Sequence, residues 1–256
     1  MMSWQDRFSL TGRKAMVTGA SKGIGAEICR VFAEAGADIV AVARDAAGLA
    51  AVAADVSARG RRCLTLTAEM ASPTEPVAAC ERALAEWGTI DILVNNAGMT
   101  HVGPALDFPT DWWDELMAVN LRAPFLTART LAPAMIAQRW GKVIMVSSQT
   151  GVIALDDHAG YAASKGGLNA LTKSLCAEWA RHNVQVNAIC PTVVMTPMGR
   201  AVWGEPAKGD PFRNATPARR FAEEVEIADA ALYLASDASA MVNGALLMVE
   251  GGFTSV

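Results

Sequence analysis

Ala15-Met16-Val17-Thr18-Gly19-Ala20-Ser21-Lys22-Gly23-Ile24-Gly25 decides the fold. A short apolar run reads as a first strand, ends in three closely spaced glycines, and is followed by a helix from Gly25 to Ala35. Glycines at 19, 23 and 25 permit a tight strand-to-helix turn and let backbone amides approach a pyrophosphate at the helix N-terminus. The spacing is not the literal G-x-G-x-x-G pattern, because three residues separate the first two glycines. Its place between a first strand and a first helix is what points to a nucleotide rather than a generic bend.

Outward from that turn the same alternation repeats. Strands are expected at Asp38–Ala43, Cys63–Thr67, Ile90–Asn95, Lys142–Ser147, Gln185–Cys190 and Leu246–Val249. Helices are expected at Asp45–Arg59, Pro76–Trp87, Thr110–Gln138, Tyr161–Arg181 and Val225–Ser236. Strands alternating with helices imply right-handed crossovers and a parallel sheet covered on both faces. The fold class is therefore α/β. Residues 1–256 read as one doubly wound, Rossmann-type domain for nucleotide binding and catalysis, with a parallel sheet of about seven strands. Between Pro197 and Pro217, glycines and prolines interrupt the pattern, and Trp203 lies inside it. We expect an irregular active-site lid there.

Composition bounds the rest. The 256 residues are 52% hydrophobic and only 19% charged, yet no apolar run approaches the roughly 20 residues a bilayer span needs. The N-terminus has neither the basic start nor the apolar stretch of a signal peptide. Five scattered cysteines, with no metal-ligand spacing, read as buried thiols in a reducing compartment, so a cytoplasmic location and no metal are expected. A net charge of −4 supplies no basic field for nucleic acid or an anionic membrane. Arg61-Arg62 reads as a solvated strand entry. The stripe Leu168, Leu171, Leu175 and Trp179 suggests a helix face that meets another subunit, or packs on its own sheet.

Chemistry is carried by Tyr161 and Lys165, four residues apart and on one face of the helix that Tyr161 opens, with Ser148 thirteen residues before the tyrosine. A phenol near pKa 10 exchanges protons slowly at neutral pH, and a nearby ammonium favours phenolate. Cofactor choice rests on Val42-Ala43-Arg44-Asp45, where NAD-preferring sites place an acid for the ribose hydroxyls. Ala43 and Arg44 stand there instead. Arg44, with Lys22 in the glycine turn, could take a 2′-phosphate, so NADP(H) is expected over NAD(H). Asp45 either caps the next helix or repels that phosphate.

Taken together, Thr18 to Gly25, Asn95-Asn96-Ala97-Gly98, Asn120, Ser148, and Tyr161 with Lys165 resemble the short-chain dehydrogenase/reductase family over nearly the whole chain. Val146-Ser147-Ser148-Gln149, His158, Pro191 to Thr196 and Trp203 are similar to its xylulose-reductase-like group of sugar and polyol enzymes. The resemblance implies an oxidoreductase of carbohydrate metabolism, acting on a ketose, polyol or small dicarbonyl and assembled as a homotetramer. It implies Tyr161 as general acid in reduction and base in oxidation. Lys165 would lower its pKa and hold the nicotinamide ribose, Ser148 would bind the substrate oxygen, and Asn120 would support a relay water. Cofactor contacts are implied for Gly19, Ser21, Lys22, Gly23, Ile24, Gly25, Arg44, Asn96, Ala97 and Gly98, and further on for Tyr161, Lys165, Pro191, Val194, Thr196 and Met198. Substrate contacts are implied for Ser148, Gln149, His158, Tyr161 and Trp203. A contact with the adenine is implied for Glu69 and Met70, which stand where the family usually has Asp followed by an aliphatic residue. Two other functions fit the framework: a ketoacyl-thioester reductase, and a non-catalytic sensor of cofactor redox state.

Overall fold

The computed structural model describes residues 3–256, the side chains of Met198, Ala201 and Val202 excepted. Its strands are β1 (Lys14–Thr18), β2 (Asp38–Ala43), β3 (Cys63–Thr67), β4 (Ile92–Asn95), β5 (Gly141–Val146), β6 (Val184–Pro191) and β7 (Leu246–Val249). They form one parallel sheet in the order β3-β2-β1-β4-β5-β6-β7. β1 lies between β2 and β4, so the winding direction reverses there. In such sheets that reversal opens a crevice at the carboxyl ends of the strands, which is where ligands bind.

Because both faces are covered, alternate residues along each strand feed two cores. Val17 and Ile39 pack with Ile28 and Phe32 of α2 (Gly23–Glu34), Leu49 of α3 (Ala46–Ala58) and Ile227 of α10 (Glu224–Ala235). Met16 and Val40 pack with Cys80 of α4 (Glu75–Trp87), Leu131 of α6 (Ala123–Gln138) and Leu168 of α7 (Ala159–Trp179). Each such side chain contributes about 1.5–3 kcal/mol when fully buried, which explains why the strands read as continuous apolar runs. No described helix is long and apolar enough to cross a membrane.

The structure corrects the sequence reading in two places and refines it in two more. The helix expected over Thr110–Gln138 is α5 (Thr110–Met117) and α6, joined by a π-helical turn at Ala118–Arg122. The stretch expected to be irregular holds two short helices, α8 (Pro197–Trp203) and α9 (Pro206–Ala215). Pro197 and Pro206 each open a helix, where the missing amide hydrogen costs nothing, so two apparent breakers are starts. The Leu168–Trp179 stripe packs on its own sheet, with Leu168 and Leu175 fully buried and Leu171 and Trp179 against the same core. Arg61 and Arg62 stand at the strand entry, Arg62 exposed, and each lies 2.7 Å from Asp38 at the start of β2.

Candidate active site

One cavity of about 700 Å³ lies over the carboxyl ends of β1, β4, β5 and β6. Its floor at one end is the glycine turn. Gly19 has φ +66°, and a Cβ there would lie 2.9 Å from the Ala97 Cα. A Cβ at Gly25 would overlap the Gly19 carbonyl oxygen. Side chains at either position would block the turn, so glycine is required by close packing as well as by backbone conformation. Asn96 locks the turn from the next strand, donating through Nδ2 to the Thr18 and Gly19 carbonyls at 2.9 and 3.2 Å. Thr18 Oγ1 accepts from the Asn96 and Ala97 amides.

Ser21, Lys22, Gly23 and Ile24 line the same end with Ala43, Arg44, Glu69 and Met70. Arg44 is bound to Glu69, Nη1 to Oε2 at 3.0 Å, and its side chain is 73% exposed. Asp45 is the cap of α3: its Oδ1 accepts from the Gly48 amide at 3.1 Å. Its carboxylate is thus engaged with the helix it starts. Gly98, Pro191, Val194 and Thr196 also line the cavity, and Thr196 caps α8 by accepting from the Gly199 amide at 3.0 Å. The side chain of Met198 lies outside the described residues. The open glycine turn, the missing acid at position 43 and a cationic Arg44 fit a nicotinamide dinucleotide.

At the centre stand Ser148, Tyr161 and Lys165. Ser148 follows β5 and Tyr161 opens the first turn of α7, and both line the cavity. Lys165 is buried one turn along, where its Nζ donates to the Val146 carbonyl at 2.9 Å and lies 5.7 Å from the Tyr161 ring centroid. Burial raises the phenol pKa, and Ser148 pulls it part of the way back. Burial also lowers the Lys165 pKa to about 8. The apolar surroundings penalise charge on both groups, which works against the acidification expected of Lys165.

Asn120 sits in the π turn. It donates through Nδ2 to the Met99 carbonyl and to Ser164 Oγ, both at 3.0 Å, and accepts from the Met99 amide at 3.0 Å. Both amide hydrogens are spent, leaving one Oδ1 lone pair. A Cβ at Gly98 would lie 3.4 Å from Asn120 Oδ1 and 3.5 Å from Lys165 Nζ, so the two groups flank the same small space.

Gln149, His158 and Trp203 line the far end with Leu155, Phe212 and Glu115. His158 places Nδ1 2.6 Å from the Asp156 carbonyl and sets its ring edge-on to Tyr161, centroids 6.4 Å apart. Gln149 is 2% exposed, and its Oε1 has no hydrogen-bond partner. Trp203 packs on Phe212, which stacks in turn on Phe253 at 4.7 Å. Glu115 and Phe212 carry no sequence signal, since each is one polar or aromatic residue on an ordinary helix.

A dinucleotide turn at the switch point, with a hydroxyl pair and a buried lysine at the strand ends, defines a nicotinamide-dependent oxidoreductase. The chain belongs to the short-chain dehydrogenase/reductase family, and residues 19–254 match the family model described as enoyl-(acyl carrier protein) reductase. It is 41% identical to D-threitol dehydrogenase of Mycolicibacterium smegmatis, over 96% of this chain and 95% of that protein. It is 37% identical to an NAD-dependent glycerol dehydrogenase of Listeria innocua, over 96% of each. It is 39% identical to L-xylulose reductase of Bos taurus, over 95% of this chain and 97% of that one. A gluconate 5-dehydrogenase of Burkholderia cenocepacia, solved with NADP and tartrate, superposes at TM-score 0.94 with 40% identity, over 99% and 100% of the two chains.

Proposed function

We propose that this enzyme interconverts a secondary alcohol and a carbonyl on a small polyol, ketose or dicarbonyl, using NADP(H) in preference to NAD(H). The observation that carries the reading is the convergence of Ser148, Tyr161 and the buried Lys165 on one cavity, the last two one helical turn apart. Relatives named for threitol, glycerol and xylulose support the substrate class. When bound, the nicotinamide supplies or accepts the hydride.

The chain's own residues handle the proton. Ser148 holds the substrate oxygen, and Tyr161 gives that oxygen a proton in reduction and takes it in oxidation. The burial that raises the phenol pKa keeps it protonated, which suits the donor role directly. For the reverse direction Lys165, close beneath the ring, stabilises the phenolate once the proton has left. Asn120 holds the Met99 segment against α7 through Ser164, fixing the wall beside Lys165. On the cofactor side, Arg44 and Lys22 would meet a 2′-phosphate, and Val194 and Thr196 the carboxamide. We further propose a homotetramer in the cytoplasm. Partly exposed Trp112, Trp113 and Phe125 on α5 and α6 support the assembly, and five unpaired cysteines fit the location.

The test is turnover of a polyol and ketose panel with each cofactor, in wild type and Tyr161→Phe. Wild type is expected to act on at least one neutral polyol or ketose. The variant should bind cofactor normally and lose about 10² to 10⁴ in kcat, the usual worth of proton transfer by a positioned side chain. Near-normal turnover by Tyr161→Phe would sink the mechanism.

A further inference from the structure

Small polyhydroxy substrates come as neutral polyols and ketoses or as carboxylates, and the two kinds differ by a full charge at one terminus. The lining at the open end of the cavity bears on which kind fits. On its α5 side the wall carries Glu115, Thr100 and Val102. The Gly103 amide donates to the Asp157 carbonyl at 2.9 Å, which ties this wall to the segment bearing Leu155 and His158. A Cβ at Gly160 would meet Phe108 at 2.9 Å and Leu116 at 3.0 Å, so α5 is packed tightly on the first turn of α7. Glu115, the neighbour of Leu116, is thereby held at the same end of the cavity as Tyr161.

The carboxylate is not free to swing away. Glu115 Oε2 lies 2.9 Å from His101 Nε2, and the His101 ring stacks on Trp112 with centroids 4.6 Å apart. The cavity's lysines and arginine lie elsewhere. Lys22 and Arg44 belong to the glycine-turn end, and Lys165 is buried against the Val146 carbonyl. Among the described residues lining the open end none is lysine or arginine, and Lys208, over the Trp203 ring, is not part of the lining.

We infer that this end of the cavity selects uncharged polyols and ketoses over the matching aldonates, and that Glu115 sets the selection. Its carboxylate accepts hydrogen bonds from the distal hydroxyls and repels a terminal carboxylate. The inference rests on the polyol-type reading above and narrows it.

The test uses matched pairs, such as xylitol with xylonate and threitol with threonate, which share hydroxyl pattern and differ at one terminus. Wild type should show a kcat/KM ratio of at least about ten in favour of the polyol, as expected for like charges several ångström apart in a half-exposed mouth. Glu115→Gln should lower that ratio about tenfold and Glu115→Lys further, with NADPH affinity unchanged as the check on folding. A wild-type preference for the aldonates, or a ratio that neither variant moves, overturns the inference while leaving the oxidoreductase reading intact. Absence of turnover on every polyol, ketose and aldonate overturns that reading and this one with it.

Discussion

Removing the Arg44 guanidinium should separate the two nicotinamide cofactors. A well-formed charge-assisted contact is worth about 1.5–3 kcal/mol. Arg44 falls at the bottom of that range, because its side chain is 73% exposed and already paired with Glu69 at 3.0 Å. We therefore expect Arg44→Ala to weaken NADPH by about tenfold, equivalent to about 1.4 kcal/mol, and NADH by less than about twofold. The same ion pair makes an opposite prediction for its partner. Glu69 draws the guanidinium away and adds a negative charge near any 2′-phosphate, so Glu69→Gln should tighten NADPH by about three- to tenfold. Equilibrium titration of nucleotide fluorescence measures both cofactors' dissociation constants in wild type and the two variants without turnover. Added salt should shrink the NADPH effects and leave NADH nearly flat, since only the former is a charge contact at the surface. Equal weakening of both cofactors in Arg44→Ala, or no change for NADPH in Glu69→Gln, would place the phosphate elsewhere and refute the NADP(H) preference.

Two further outcomes follow from features away from the cofactor. Lys142 is 1% exposed on β5, donates to Ser239 Oγ at 3.2 Å, and burial depresses its pKa to about 8 from 10.5. Below pH 8 the folded chain carries that charge at a cost of up to about 3 kcal/mol, and stability recovers as pH rises from 8 towards 10.5, where only the unfolded chain stays protonated. Lys142→Met should therefore raise the melting temperature at pH 7 by a few degrees and flatten the rise between pH 8 and 10, as read by calorimetry. For assembly, light scattering at micromolar concentration should give about four times the 26.9 kDa chain mass, and a monomeric value would reject the tetramer.

Much of the architecture was legible in the sequence because its signals are local. The apolar strands, the glycine turn and the Tyr161–Lys165 spacing each depend on neighbours within a few residues. What failed to show depends on contacts far apart in sequence. Nothing near Arg44 announces that Glu69 will occupy it, since β2 and β3 meet only in the sheet. Pro197 and Pro206 read as breakers because their helices are short rather than long and periodic. Burial of Tyr161 and Lys165 together, which works against acidification of the phenol, is a property of the assembled core. Glu115 was overlooked for the same reason: its meaning comes from what stands across the cavity.

The π turn at Ala118–Arg122 acts as a phase shift in what would otherwise be one continuous helix. Each residue of an α-helix advances about 100° around the axis, so one extra residue re-aims everything on the far side by roughly a quarter turn. Without it, a face that buries Leu131 and Met135 of α6 against the sheet would not also bring Glu115 of α5 to the cavity. The insertion lets one helical rod answer to two surfaces, the core below and the substrate above. Deleting a single residue there would leave helix content nearly unchanged and turn the substrate wall out of register.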